Sequence, residues 1–209
     1  KEENATTKIR IVMDCKARPH PSAKSLNENL VNGPNFICEV PAVLTRFRTK
    51  KVAIMADIKE MFLQVAMEAK DQHYHRFMWY DECDQLQLFQ WDRLCFGNRG
   101  APTSACKSVR KSASNLKDSC PQAYETIHKS VVMDDASDSR DTPEEGLTLL
   151  RELFTVHEDC KMELHKIASS HREVLAQIPE EKIAKQIEFH VPSEDQSYEA
   201  SKTLGLYWL

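Results

Sequence analysis

Ser130-Val-Val-Met-Asp-Asp-Ala-Ser-Asp138 decides how this chain reads. Two β-branched valines suit a strand. The acids that follow suit a turn. The stretch therefore reads as a strand over residues 129–133, with Asp134-Asp135 as its turn. A second apolar run, Val52-Ala-Ile-Met-Ala-Asp57, also ends on an acid. If the two strands lie side by side, Asp57, Asp134 and Asp135 converge. Converging carboxylates can hold two divalent cations, the apparatus of phosphoryl transfer from nucleotides. An aspartate pair is also an ordinary hairpin cap, so the surrounding chain has to decide.

Working outward, Lys8-Ile-Arg-Ile-Val-Met-Asp14 alternates and reads as a strand. Residues 15–35 carry Pro19, Pro21, Gly33 and Pro34 and read as loop, with a short helical piece near Ser25. Val40, Val43, Leu44 and Phe47 recur at helical spacing over 36–49. Residues 51–56 read as a buried strand, and 58–65 as a helical turn or tight bend. Arg76-Phe-Met-Trp-Tyr80 and Asp84-Gln-Leu-Gln-Leu-Phe-Gln-Trp91 alternate on either side of an acidic turn, which predicts a hairpin. A Gly/Pro loop from Cys95 opens a helix over 102–117, and a helical piece fits 121–129. Pro143-Glu-Glu starts another helix, since proline and acids suit the first turn. Leu147, Leu150, Leu153 and Phe154 give it an apolar stripe. The chain from Leu164 is mixed, Arg172–Leu175 reads as a short helix, and Thr203–Leu209 as a closing strand. The order is an α+β pattern.

The 209 residues, 41% hydrophobic and 29% charged, describe a globular chain. No apolar run approaches the roughly 18 residues of a membrane span, so no membrane is expected. The polar first residues predict no signal peptide. Seven cysteines without a Cys-x-x-Cys pair argue against a disulfide framework or zinc site and for a reducing, intracellular, cytoplasmic setting. The net charge of −4 excludes a uniformly basic nucleic-acid binder. Local basic clusters remain at Lys8, Arg10, Lys16, Arg18 and Lys24, and at Arg46, Arg48, Lys50 and Lys51. Each is also compatible with a solvated face.

These residues together resemble the reverse transcriptase of BEL/Pao-type long-terminal-repeat retrotransposons. Arg10-Ile-Val-Met-Asp14 is similar to the family's Arg-Val-Val-Phe-Asp, and Ser25-Leu-Asn27 with Gly33-Pro34 to its Ser-Leu-Asn…Gly-Pro. Met55-Ala-Asp-Ile-Lys-Glu-Met-Phe-Leu-Gln-Val65 resembles Met-Ala-Asp-Ile-x-x-Met-Phe-x-Gln-Val. Arg76-Phe-Met-Trp79, Phe96-Gly97 with Pro102, Met133-Asp-Asp135, Met162-Glu-Leu-His-Lys-Ile-Ala-Ser-Ser170, Glu173-Val-Leu175, Ile178-Pro179 and Leu204-Gly205…Trp208 follow in the family's order. The likeness covers residues 8–208. Val132 stands where the family has tyrosine, Ile167 where it has tryptophan, Lys161-Met162 where it has Gly-Phe, and Ser170 where it has asparagine.

The resemblance implies a right-hand polymerase palm, an antiparallel sheet backed by helices, at 51–209. Partial fingers fall at 1–50, with a fingers insertion at about 66–95, all in one reverse transcriptase domain. The thumb is expected to be absent, as are the ribonuclease H and integrase domains of the parent polyprotein. Implied partners are template-primer nucleic acid (RNA or DNA) and deoxynucleoside triphosphates. Implied cofactors are two Mg²⁺ ions, with Mn²⁺ a substitute, on Asp57 and Asp134, with Asp135 as a weaker third ligand. Phe62 would pack under the sugar and exclude a 2′-hydroxyl. Lys8 and Arg10 would grip the triphosphate, Phe96 and Gly97 line the incoming base, and Lys166 sit near the leaving pyrophosphate. Val132, Met133, Leu204 and Gly205 would hold the primer. An intact element implies assembly into a virus-like particle.

Two functions compete on this reading. One is RNA-directed DNA polymerisation by a two-metal mechanism. The other is a decayed or co-opted palm-fold remnant that binds nucleic acid or protein without catalysis. A small metal-dependent phosphotransferase fits poorly, because there is no Walker-type glycine loop.

Overall fold

The apolar run at 52–58, broken only by Asp57, forms a strand at the centre of a four-stranded sheet. The structure, a computed structural model, describes residues 11–185 and, beyond them, the strands Ile187–His190, Ser197–Thr203 and Leu206–Trp208. In chain order the elements are α1 (Leu26–Asn29), α2 (Val40–Phe47), β1 (Val52–Ile58), α3 (Met61–Gln64), α4 (Ala69–Gln72), β2 (Arg76–Tyr80), β3 (Leu86–Gln90), α5 (Ala101–Asn115) and α6 (Pro121–Lys129). Then follow β4 (Val131–Val132), β5 (Asp135–Arg140), α7 (Pro143–Asp159), β6 (Leu164–Ser169), α8 (Arg172–Leu175), and the three last strands as β7, β8 and β9. The described residues fall into two compact units: those up to Asn35 with Glu60–Ala105, and Phe36–Lys59 with those from Cys106 onward.

In the second unit β4, β5, β1 and β6 make a four-stranded antiparallel sheet in that order. Successive strand residues face opposite ways. Val52, Ile54, Ala56 and Ile58 are buried on one face. There α7 packs so closely that a Cβ on Gly146 would lie 3.0 Å from the Ile54 Cδ1. Leu149, Leu150, Leu153 and Val156 fill the same side, with Leu147 and Phe154 half-buried at its edge. Ala53, Met55 and Asp57 lie on the opposite face. Here Met55 joins Phe47 of α2 and Ala168 of β6 in a small apolar cluster.

Two strands of this sheet depart from the sequence expectation. Residues 135–140, Asp-Ala-Ser-Asp-Ser-Arg, carry no apolar run, yet they form a central strand. Its polar groups are paired. The Ser139 hydroxyl donates to the Arg46 carbonyl at 3.0 Å, and Arg140 reaches Asp138 at 3.1 Å. The mixed stretch from Leu164 is the edge strand β6. Asp135 thus begins β5 rather than closing the turn. The turn is Met133-Asp134, with Met133 at a left-handed φ of 58°.

In the first unit, β2 and β3 pair as the expected hairpin, Arg76 opposite Gln90 through Tyr80 opposite Leu86. Of the strand expected over 8–14, the described residues form a single parallel bridge between Val12 and Phe96. Residues 8–10 lie outside the described residues. Helix α1 begins at a capping box, Ser25 and Glu28 bonding each other's backbone N–H. Towards the C-terminus β7, β8 and β9 pair antiparallel in that order. The seven cysteines are free thiols. Among the described residues no helix is long and apolar enough to cross a membrane.

Candidate functional site

Asp57 and Asp135 are direct partners across β1 and β5. Residues so opposed present their side chains on one face with Cβ atoms about 4.5–5.5 Å apart. Asp134 occupies the two-residue β4–β5 connection. Its carbonyl accepts from the Ile58 N–H at 2.8 Å, tying the turn to the strand that carries Asp57. Val132 pairs with Asp135 and so stands on the Asp57 face, with Met133 at the turn. Close behind the turn is the buried thiol of Cys106. Burial raises its pKa, and the negative charge of Asp134 adds to the rise.

Like charges opposite each other in a sheet are destabilising, and Asp57 carries its own compensation. Its Oδ1 accepts from His165 Nε2, and its Oδ2 pairs with Lys166 Nζ at 3.0 Å. Both partners come from β6, where Asp57 is opposite His165. Two residues further along, Lys59 and Glu163 form an ion pair at 2.9 Å, and that hydrogen bond holds the Glu163 carboxyl below its usual range.

Carboxylate oxygens are the donors that Mg²⁺ prefers. As placed, however, they do not form a metal site. Among the described residues no three His, Cys, Asp or Glu side chains are grouped to hold a cation. Both oxygens of Asp57 are already engaged by His165 and Lys166.

The remaining sequence candidates divide by unit. Lys166 lies beside Asp57 in the second. Phe62 and Phe96 meet edge-on in the first, with ring centroids 5.1 Å apart. Gly97 has φ of 97°, and a Cβ there would fall 1.9 Å from the Met13 carbonyl oxygen. Lys8, Arg10, Leu204 and Gly205 lie outside the described residues.

The first unit also holds an open cavity of about 530 Å³, lined by Lys16, Arg18, Ser25, Asn27, Glu28, Gly97 and Arg99. The Asn27 amide organises it, donating to the Gly97 carbonyl at 2.9 Å and accepting from the Arg99 N–H at 2.8 Å. Arg18 is paired with Glu28. Lys16 and Arg99 add two cations to the lining. Behind the loop, His75 Nε2 accepts from the Asn98 amide at 2.6 Å, and Asn98 Oδ1 accepts from the Gly100 N–H at 2.7 Å. Sequence reasoning gave Asn27 and Arg99 no role, and it missed His165. Nothing in their spacing signals these contacts, which exist only once the chain is folded.

The architecture belongs to one class, the reverse-transcriptase-like fold. It is similar to the solved structure of a foamy viral protease-reverse transcriptase, dRH, in complex with ds DNA. The TM-score is 0.55 and the identity 20%, over 74% of this chain and 23% of that one. It is also similar to the foamy viral protease-reverse transcriptase in complex with RNA/DNA hybrid. Here the TM-score is 0.50 and the identity 21%, over 68% of this chain and 18% of that one. The chain thus spans under a quarter of the length of either structure. No family model and no curated protein matches it.

Proposed function

We propose that this chain is the polymerase core of a retrotransposon reverse transcriptase of the BEL/Pao type. It would add deoxynucleotides to a primer 3′ end under the direction of an RNA template. The observation that carries the reading is the register of Asp57 against Asp135, with Asp134 in the adjoining turn, inside a reverse-transcriptase-like fold. The four-stranded sheet with its helices corresponds to a palm, and the first unit to part of the fingers. The similar structures hold ds DNA and an RNA/DNA hybrid, which supports template-primer nucleic acid as the partner. In the first unit, Lys16 and Arg99 offer phosphate contacts, and such contacts dominate nucleic-acid affinity. Mg²⁺ or Mn²⁺ would bind at Asp57, Asp134 and Asp135 once Asp57 leaves His165 and Lys166. The metal would polarise the phosphoryl oxygens and activate the primer hydroxyl when bound.

A second reading, template-primer binding without chemistry, draws support from the engagement of Asp57 by a lysine and a histidine. One set of assays separates the two. Fluorescence anisotropy with a labelled primed RNA template measures binding, and gel-resolved extension with deoxynucleotides and Mg²⁺ or Mn²⁺ measures synthesis. Extension that Asp134→Asn abolishes supports the polymerase. Salt-sensitive binding without extension in either metal supports the second reading. Absence of binding at low salt would sink both.

A further inference from the structure

His165 and Lys166 are sequence neighbours, and in a regular strand neighbours point to opposite faces. Both nevertheless reach the same carboxylate. The register explains how. Met55 pairs with Ala168 and Asp57 with His165, so one residue on β1 faces two, Lys166 and Ile167, on β6. That is a β-bulge with the extra residue on β6. Lys166 takes φ of 49°, a left-handed conformation that a lysine rarely adopts. The bulge is anchored from behind. Ile167 is fully buried, and its carbonyl accepts from the Ala184 N–H at 2.8 Å. His165 and Ala168, three residues apart, both come to the Asp57 face, and Lys166 folds onto the second oxygen. Such backbone outliers concentrate at functional sites.

We infer that the β6 bulge is an autoinhibitory clamp. It seats the Lys166 ammonium and the His165 N–H on both oxygens of Asp57, so that they compete with a divalent cation for that carboxylate. The inference rests on the reading of Asp57 as a metal-binding acid. It adds that the isolated chain keeps this acid closed, and that metal entry requires Lys166 and His165 to let go. The lysine ammonium can occupy the place of a cation without any exogenous ligand and offsets the charge of the acid that faces Asp135, while the imidazole N–H holds the other oxygen.

Electron paramagnetic resonance of free Mn²⁺, titrated with the whole 209-residue chain, tests the clamp without nucleic acid or nucleotide. The variants are Lys166→Gln, His165→Gln, the double variant, and the double variant carrying Asp57→Asn. Hydrogen bonds to charged groups are individually worth a few kcal/mol, so the double variant is expected to bind Mn²⁺ about tenfold or more tighter than wild type. Asp57→Asn should erase that gain. Unchanged or weaker binding in the double variant overturns the inference, because the two residues would then support the site. A gain that survives Asp57→Asn overturns it too, because the ion would be binding elsewhere. Far-UV circular dichroism checks the fold of each variant. If the double variant is unfolded, Lys166→Gln decides alone, since this side chain is 43% exposed. Tighter binding supports the clamp, and none overturns it. Failure of the polymerase reading appears separately, as absence of template binding or extension in chains whose Mn²⁺ titration is intact.

Discussion

At the scale of residues, the candidate site is assembled from a few positions whose neighbours are distant in sequence. Asp57 was legible because it ends an apolar run, and Asp134-Asp135 because they follow one. Their pairing then requires only that two strands meet. His165 carried no such mark, since its role depends on a bulge that no local pattern announces. Gly97 shows the same dependence on distant chain. Its φ of 97° belongs to glycine's range, and the Met13 carbonyl stands where a Cβ would go, at 1.9 Å. Met13 also donates its N–H to the Phe96 carbonyl at 2.9 Å, so the loop cannot slide aside cheaply. Gly97→Ala should therefore lower stability by about 3 kcal/mol, the scale of a strained backbone added to a steric clash. Urea denaturation followed by circular dichroism measures it. A loss under about 0.5 kcal/mol, the range of an ordinary surface change, would show that the loop yields.

At the scale of elements, periodicity found the hairpin and the longer helices, and it missed the short α4 and the strands β5, β6, β7 and β8. Helix α7 was legible from Pro143, the acids behind it and the leucines at helical spacing. Strand β5 was not, because Asp-Ala-Ser-Asp-Ser-Arg has little β-propensity. It is held by tertiary bonds, among them those of Ser139 and Asp138. Strand β6 was obscured by its bulge, which breaks the alternation that strand reading relies on. The end of α7 explains one departure from the resembled family. The Met162 N–H donates to the His157 carbonyl at 2.8 Å, and the Lys161 N–H to the Glu158 carbonyl at 3.0 Å. These are the two bonds of a Schellman motif, whose C′ residue is left-handed and usually glycine. Here it is Lys161 at φ of 59°, at the place where the family has glycine. Lys161→Gly removes the Cβ penalty at an exposed position, and it should raise stability by about 1 kcal/mol. The relaxed cap leaves β6 in register, so the gain should appear as a higher urea midpoint at unchanged slope. A lower midpoint would mean that the lysine side chain stabilises the fold by a contact outweighing the backbone strain.

At the scale of the whole molecule, stability should follow pH through a histidine at the heart of the second unit. His157 lies on α7 with 2% of its surface exposed, and its Nδ1–H donates to the Leu153 carbonyl at 2.7 Å. Burial pushes its pKa down from 6.5 to about 4. The folded chain therefore keeps the ring neutral at pH values where the unfolded chain has already taken up a proton. Above pH 6.5 neither state is protonated and the full stability is present. As pH falls from 6.5 toward 4 the unfolded state binds the proton first, and stability is lost. The loss from this residue is about 2 kcal/mol by pH 5 and levels off near 3 kcal/mol below pH 4. Carboxylates titrate in the lower part of that window, so the comparison has to be internal. Urea midpoints of wild type and His157→Met, measured every half unit from pH 7.5 to 5, isolate the histidine. Methionine fills the site without a titrating group, at the loss of the bond to Leu153. Its curve should start lower at pH 7.5 and fall less steeply, by the share of His157, so that the wild-type curve descends toward it. Parallel curves would show that His157 takes up its proton without unfolding, and that the unit opens locally around α7 instead.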